Sequence, residues 1–164
     1  MAGITGEITS TTLKKLQAQN DGVSARVSAI ITADRQLAAI GVRSIDAHNI
    51  SIDVSEKTGH AQYPALLVYC DKLSNLLSEK FRRFSGRAHL VVEVRHSQDK
   101  LESLEATTQV YVDAVCALLD DSRGGWGCGA FYPGGYDVSY EPVIRGGKNL
   151  LQKAKVSFDV EVSK

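Results

Sequence analysis

The residue whose chemistry would be easiest to recognise is Cys128, which lies between two glycines in the segment Gly125–Gly129. A cysteine in such a segment could be an accessible thiolate, and a histidine from a neighbouring sheet could activate it as a nucleophile. No local catalytic signature surrounds it, so we interpret Cys128 as a loop cysteine without a catalytic role. A Cys128-dependent hydrolase is the enzyme alternative that stays open.

The glycines around Cys128 superficially resemble a phosphate-binding loop. A dinucleotide fingerprint follows a strand and opens a helix, whereas Gly125–Gly129 follows a predicted helix and leads into a predicted strand. The sequence also contains no GxxxxGK[ST], HExxH, GxSxG or EF-hand motif. We therefore expect no nucleotide cofactor and no enzyme activity.

Cysteines and histidines give no metal-binding pattern. The cysteines are three in number and include no CxxC pair, which argues against both a zinc knuckle and a disulfide framework. His89 and His96 are seven positions apart, so on one strand they would lie on opposite faces. We expect no metal site, and reduced thiols in a cytoplasm. The residues concerned are Cys70, Cys116, Cys128, His48, His60, His89 and His96.

A basic cluster is the first feature that calls for a binding role. The formal net charge of the chain is zero, so no global field draws it to nucleic acid, and any such binding must come from a local patch. The cluster could face a phosphate backbone or an acidic patch on a neighbouring subunit. A solvated hairpin edge, protected from aggregation by its charge, fits equally well. Its four cations are Lys80, Arg82, Arg83 and Arg87, with Phe81 and Phe84 between them.

A glycine-rich segment is the second such feature. Residues 123–135 hold six glycines, and we predict a loop because glycine is costly inside regular structure. The segment also carries Trp126, Phe131 and Tyr132. Large aromatic side chains on a loop either fold back onto their own core or are covered by a partner. Both outcomes stay open for these three residues.

The first third of the chain is predicted to be helical. Apolar residues between Thr9 and Gly41 recur at the spacing of one helical face, and the turn residues Asn20–Gly22 interrupt them. Two helices, or one helix weakened in the middle, fit this pattern. A short strand is predicted around Ile50–Val54, running into a loop.

The remaining elements are predicted to be strands, one helix and a closing hairpin. The unbroken apolar run Ala65–Cys70 indicates a strand covered on both faces. Residues 87–96 alternate as a strand, with Ser85–Gly86 as the hairpin turn before it. An approximate capping box of Asp99 with Glu102 begins a helix that ends near residue 121. Residues 136–140 and 154–162 alternate around a reversal at 146–147, which predicts a hairpin with one apolar face.

This order predicts the α+β class, with a mainly antiparallel sheet and two or three helices packed on one face. We expect residues 1–22 to be an N-terminal arm or helix and residues 23–164 to be a single domain. With 43% hydrophobic and 23% charged residues, the composition excludes wholesale disorder. We also expect neither export by a standard signal nor a membrane span, because the chain has no basic leader and no long apolar run.

The order of elements resembles the tail terminator and tail-completion (neck) proteins of tailed bacteriophages. The resemblance covers roughly residues 62–164 and rests on patterns rather than on a signature motif. It is carried by the strands Tyr63–Tyr69 and Gly86–Ser97, the helix that begins after Asp99, and the closing hairpin ending in Val156–Val162.

The resemblance implies a tail-terminator-like fold and a structural virion protein. Such a subunit forms a ring, usually a hexamer, at the head-proximal end of the tail tube. Its partners would be the tail tube protein, the head–tail connector or neck proteins, and DNA passing through the channel without sequence specificity. It would be assembled in the host cytoplasm, would need no cofactor and would catalyse nothing. The alternative is a small cytoplasmic nucleic-acid-binding module that uses the basic cluster.

The family has no functional motif that can be transferred position by position. The candidate interface or channel contacts therefore rest on physical grounds alone. These candidates are Lys80, Arg82, Arg83, Arg87, Trp126, Phe131 and Tyr132.

Overall fold

A computed structural model describes residues 44–47, 63–127 and 129–164. The predicted helices between residues 9 and 41, the arm 1–22, the strand at 50–54 and Cys128 lie outside the described residues. In chain order the elements are β1 (Ser44–Ala47), β2 (Ala65–Asn75), β3 (Ser85–Gln98), α1 (Leu101–Asp121), β4 (Gly124–Gly127), β5 (Ala130–Tyr132), β6 (Asp137–Tyr140), β7 (Ile144–Gly146) and β8 (Asn149–Ser163).

The eight described strands form one sheet. Six of them follow the order β1-β2-β3-β8-β5-β4, and β6 and β7 each pair with β8. Only β1 and β2 pair in parallel among them. β8 pairs with β3 along its whole length, and its other edge is shared by β7, β6 and β5 in turn. The longest strands are therefore at the centre, where each is paired on both sides.

Helix α1 packs on one face of this sheet, against β3 and β8. Every second residue of these strands points toward it, as the period of two requires. The predicted apolar face of the closing hairpin is confirmed for β8, where Ala154, Val156, Phe158, Val160 and Val162 are all buried in one core with the helix. In β6, Val138 and Tyr140 of the same predicted face are exposed.

The α+β class and the mainly antiparallel sheet are confirmed. The described part of the chain contains one helix, and the other helices were predicted outside it. The helix begins at Leu101, and its N-cap, Lys100, makes no side-chain capping bond. The predicted capping box of Asp99 with Glu102 is therefore not formed. No described helix combines the length and apolarity that crossing a membrane requires.

The second face of the sheet is covered at one end, where every residue of Ala65–Cys70 is buried. The prediction of a strand covered on both faces is confirmed. On this face Arg95 Nε and Glu93 Oε1 form an ion pair at 2.5 Å, with both side chains only 2% exposed. The hydroxyl of Tyr69 donates a hydrogen bond to Glu93 Oε2 at 3.3 Å. Such partners offset the desolvation of a buried charge.

The predicted turn at Ser85–Gly86 is wrong, because β3 already begins at Ser85. Gly86 pairs with Asn75 of β2. A Cβ at Gly86 would meet the backbone of Ser74, so this glycine permits a close approach of two strands rather than a reversal. The connection between β2 and β3 is instead the nine residues 76–84, which we call the tip.

The prediction that residues 123–135 form only a loop is also wrong. β4 and β5 lie within this segment and pair with each other in antiparallel fashion. Gly124 and Gly127 take positive φ angles of 111° and 82°, a conformation that glycine adopts without a steric penalty. The glycines thus allow a tightly twisted hairpin, which the packing of its aromatic side chains stabilises.

Candidate interaction surface

The tip is held at its base by Asn75, the last residue of β2. Asn75 Oδ1 accepts hydrogen bonds from the backbone N–H groups of Leu77 and Ser85, each at 3.2 Å. Its Nδ2 donates to the carbonyl of Arg83 at 3.4 Å. One polar side chain therefore contacts both arms of the connection, which is the way Asn stabilises turns.

The C-terminal end of β8 also fixes the tip. Phe84 and Lys164 exchange two backbone hydrogen bonds, at 2.8 and 2.7 Å. Ser163 Oγ donates to Glu79 Oε2 at 2.7 Å. The tip is thus tied to two strands at its base while its outer residues stay exposed.

Three apolar side chains of the tip are exposed to solvent. Leu76 is 62% exposed, Leu77 67% and Phe81 103%. Leu77 and Phe81 also have positive φ angles, 48° and 68°, which cost an L-residue roughly 1 kcal/mol or more. Strained backbone that presents exposed apolar groups is typical of a contact surface rather than of a solvated turn.

The tip carries three of the predicted cations. Lys80, Arg82 and Arg83 are all exposed there. Arg82 Nε lies 3.5 Å from Glu79 Oε2, and both of these side chains are more than half exposed. Water screens an ion pair of that kind strongly. The tip therefore presents a surface that is both apolar and basic.

Arg87, the fourth cation, lies in β3 on the second face of the sheet. Its Nη1 is 3.6 Å from Asp159 Oδ2. His89 Nδ1 lies 2.8 Å from the other oxygen of the same carboxylate. Arg87 is thus close to the tip in sequence but has its own carboxylate partner in the fold.

Phe131 meets the tip across a shared groove. The groove, about 340 Å³ in volume, is lined by Leu76 and Glu79 of the tip, Arg87 of β3, Phe131 of β5 and Glu161 of β8. Phe131 is 48% exposed. The structure thus places five of the seven candidate contacts on the tip or on the groove at its base.

Trp126 and Tyr132, the other two candidates, fold back onto their own core. Trp126, Tyr132 and Phe158 form a cluster of three rings with centroids 5.3 to 6.0 Å apart. Trp126 Nε1 donates to the carbonyl of Ser122 at 2.7 Å, which satisfies the polar end of a buried indole. Both residues are buried and therefore stabilise the fold instead of offering contact area.

The exposed side of α1 is acidic along its whole length. The helix has five carboxylates and no Lys or Arg. Glu102, Asp113 and Asp120 are separated by 11 and 7 residues, which places them within about 40° of one another around the helix axis. We call this surface the acidic face; its members are Glu102, Glu105, Asp113, Asp120 and Asp121, all exposed.

Residues that follow the β4–β5 hairpin pack beside the acidic face. Tyr136 OH donates a hydrogen bond to Asp120 Oδ2 at 3.2 Å. Burial, followed by the charges of Cys116 and Asp120, raises the pKa of Tyr136 to about 12. Burial, with smaller contributions from Asp113 and Cys116, also raises the pKa of Tyr140. Tyr140 of β6 pairs with Ala154 of β8, which is buried in the core that α1 covers.

The other polar groups of the described residues include a histidine–carboxylate pair and a buried thiol. A groove of about 460 Å³ holds His89 and Asp159, and the structure pairs His89 with that carboxylate and with no hydroxyl or thiol of the described residues. Cys70 is buried, and its thiol donates to the carbonyl of Lys72 at 3.4 Å. No cluster of metal-ligating side chains occurs among the described residues.

His89 and His96 lie on opposite faces of β3, as predicted. His96 is buried under α1, where its ring lies 5.8 Å from that of Tyr111. Burial lowers the pKa of His96 to about 4, so this histidine is a neutral core residue at neutral pH.

Two parts of the surface, the exposed apolar residues of the tip and the acidic face, were not predicted from the sequence. The exposed apolar residues of the tip lie in a segment without any period, and periodicity was the only guide to burial. The acidic face could have been predicted from the sequence, because one predicted helix carries five carboxylates and no cation. No protein-family model matches the chain, and no curated protein matches it in sequence.

Proposed function

We propose that this chain is a structural subunit of a tailed virus particle, which assembles into a ring at the head-proximal end of the tail tube. The ring would terminate the tube and present a surface to the connector or neck proteins, as in the tail terminator proteins that the sequence resembles. DNA would pass through its central opening without base-specific contacts.

The order of elements supports this proposal. The segments that carry the resemblance are two long central strands, one helix and a closing hairpin, which correspond to β2, β3, α1 and β8. The helix covers one face of the sheet. A subunit of this kind can contribute its edges and connections to identical neighbours, because head-to-tail contacts close into rings.

The observation that carries the proposal is the tip. Leu76, Leu77 and Phe81 are exposed on a backbone that is strained at two of these residues and held at its base by hydrogen bonds. Burial of three such side chains contributes roughly 1.5 to 3 kcal/mol each. A partner that covers the tip would therefore gain a large share of its binding free energy there.

The proposal is tested by expressing the chain together with the genes that flank it and imaging the products by electron microscopy. Tubes capped at one end by a ring, and open or overlong tubes when the chain is omitted, are expected. A Lys148→Ala variant is a suitable control, because Lys148 is exposed in the β7–β8 turn, away from the tip. The proposal would be contradicted if the flanking genes encode no tail components, or if the tubes have the same lengths and ends with and without the chain.

The basic character of the tip favours one competing function, contact with nucleic acid. Lys80, Arg82 and Arg83 are exposed together, and phosphate contacts of this kind make binding steeply dependent on salt. An Arg82→Ala, Arg83→Ala double variant should then lose DNA affinity and reduce the salt slope by about two. Salt-independent or absent DNA binding by the wild-type chain would exclude the nucleic-acid-binding module.

A further inference from the structure

We propose that the tip of one subunit docks on the acidic face of a second copy of the same chain. This inference rests on the proposed function, since it names the contact that would close the ring. The partner that covers the tip is thus another subunit, and the tip contacts α1 of that subunit.

The composition of the tip defines what its partner must offer. Its outer surface combines three exposed apolar side chains with three cations and one carboxylate, Glu79. Glu79 is already engaged by Ser163 and Arg82. A complementary surface must therefore be negative and must also contain apolar area, because charge pairs on an interface rim contribute little by themselves.

The acidic face has the required charge. Arg123 Nη2 contacts Asp120 Oδ1 at 2.9 Å, which leaves Glu102, Glu105 and Asp113 as exposed carboxylates without an ion pair to any described residue. Glu102 and Glu105 are three residues apart on the helix, so their like charges repel each other in an isolated subunit. A basic partner would relieve that repulsion.

The acidic face also has apolar area beside it. Val138 and Tyr140 of β6 are exposed, and they pair with Val156 and Ala154 of β8, which are buried in the core that α1 covers. Leu101 is exposed at the start of α1. The helix and β6 together thus form a surface of carboxylates and apolar side chains, which matches the cations and apolar side chains of the tip.

The positions of the two surfaces favour contact between subunits. The tip extends past the end of the sheet where β2 joins β3, whereas α1 lies on the face of β3 and β8. Two different patches that bind each other form a heterologous interface, which repeats head to tail and gives a ring when the rotation closes. The tip carries three cations and one carboxylate and the acidic face carries five carboxylates, so the two patches attract each other across this contact.

Charge reversal with mixing tests this contact. A tip-reversed chain carries Arg82→Glu and Arg83→Glu, and a helix-reversed chain carries Glu105→Lys and Asp113→Lys. Each alone should weaken self-association by at least about tenfold, because like charges then face each other. An equimolar mixture of the two should regain the wild-type assembly, since every contact in an alternating ring again joins opposite charges.

The readout is the mass distribution of the assemblies, measured by sedimentation velocity and by mass photometry. A matched control reverses Arg145 and Lys148 to Glu, because both are exposed in the β7–β8 hairpin, outside the two surfaces. The control should assemble like the wild type. A Phe81→Ser variant should also weaken assembly. Because Phe81 is fully exposed, this variant loses no buried contact, so it tests the tip even if a charge-reversed chain fails to fold.

The outcomes separate the two proposals. Reversed chains that assemble as well as the wild type, or a mixture that stays dissociated, would overturn the docking of the tip on α1 while the ring itself stands. A wild-type chain that caps tail tubes as single copies would also overturn the contact but not the tail role. A chain that neither self-associates nor binds tails would overturn both. Loss of DNA binding without any change in assembly would assign the tip to nucleic acid instead.

Discussion

Asn75 Oδ1 accepts a hydrogen bond from the backbone N–H of Ser85 at 3.2 Å, and so joins the last residue of β2 to the first residue of β3. The same oxygen accepts a second bond from Leu77. This relationship matters because the two strands could end here in a short turn, yet the chain extends nine residues further. The side chain of Asn75 therefore holds the base of that extension, together with the hydrogen bonds of Phe84 and Glu79 to the end of the chain.

An Asn75→Ala variant should loosen the tip without unfolding the sheet. Three hydrogen bonds are lost. The partner groups of Leu77 and Arg83 are exposed and can bind water, whereas Ser85 is buried and its N–H loses this acceptor, so unfolding free energy should fall by about 1 to 3 kcal/mol. Hydrogen exchange at the amides of Leu77 and Ser85 should accelerate. An Asn149→Ala control, exposed at the start of β8, should leave both rates unchanged. Equal protection in the two variants would show that Asn75 does not shape the tip.

Gly86 should tolerate no side chain. A Cβ there would meet the backbone of Ser74, which cannot move without disturbing β2. We expect Gly86→Ala to lower the unfolding free energy by about 1 to 3 kcal/mol, as overpacking does. Gly125→Ala is the matched control, because a Cβ at Gly125 has no neighbour within 4 Å. Chemical denaturation that gives equal stabilities for the two variants would contradict the close approach.

The buried ion pair on the second face should be sensitive to loss of one partner. Glu93→Leu removes the carboxylate that Arg95 and Tyr69 contact, and should cost about 3 kcal/mol or more because a buried cation loses its counter-charge. Glu161→Leu is the control, since Glu161 is exposed on β8 and should matter little. Thermal unfolding measures both, and a stable Glu93→Leu variant would argue against the pair.

Stability should fall as pH drops from neutrality, because His96 is buried as the neutral form. Its pKa is lowered from 6.5 to about 4, so the unfolded chain binds a proton more readily than the folded chain between these values. Its contribution is complete above pH 6.5 and is lost toward pH 4, by roughly 3 kcal/mol at most. Urea unfolding of His96→Phe should show a shallower decline over this range, and an unchanged decline would exclude His96 as its cause.

Phe81 should separate stability from assembly. A Phe81→Gly variant relieves a left-handed backbone but adds freedom to the unfolded chain, so unfolding free energy should stay within about 1 kcal/mol of wild type. Self-association should weaken, because the fully exposed ring is lost from the tip. Tyr132→Ala provides the contrast: it empties a buried site and should cost about 3 to 5 kcal/mol. A strongly destabilised Phe81→Gly chain would show that the ring supports the fold.

Much of the fold could be predicted where the hydrophobic period was long. Residues 154–162 alternate without interruption, and the helix repeats its apolar face over five turns, so both were recognised. The run Ala65–Cys70 was read correctly as covered on both faces. In each case burial against a large surface and local propensity favour the same structure.

Glycine was the main source of error. Gly86 permits the close approach of β2 to β3. The glycines of residues 124–127 permit a hairpin, and the packing of Trp126 on Tyr132 and Phe158 offsets the conformational entropy that these glycines lose. Ser74 is 12 residues from Gly86 and Phe158 is 31 residues from Gly127, so local propensity could not reveal these contacts.

The candidate surface was predictable in composition but not in geometry. The basic cluster was visible in the sequence, yet Arg87 lies on β3 beside Asp159 while Lys80, Arg82 and Arg83 stay on the tip. Trp126 and Phe131 are five residues apart, yet Trp126 is buried and Phe131 is about half-exposed. Spacing alone does not say which side chains a tertiary contact will cover.

The most direct measurement of the central claim is native mass spectrometry of the assembly released from tail-tube ends, combined with images of those ends. A closed ring of one fixed copy number, a hexamer by the resemblance to tail terminators, is the predicted result. A monomer, or an open series of oligomers without a closed member, would contradict the account.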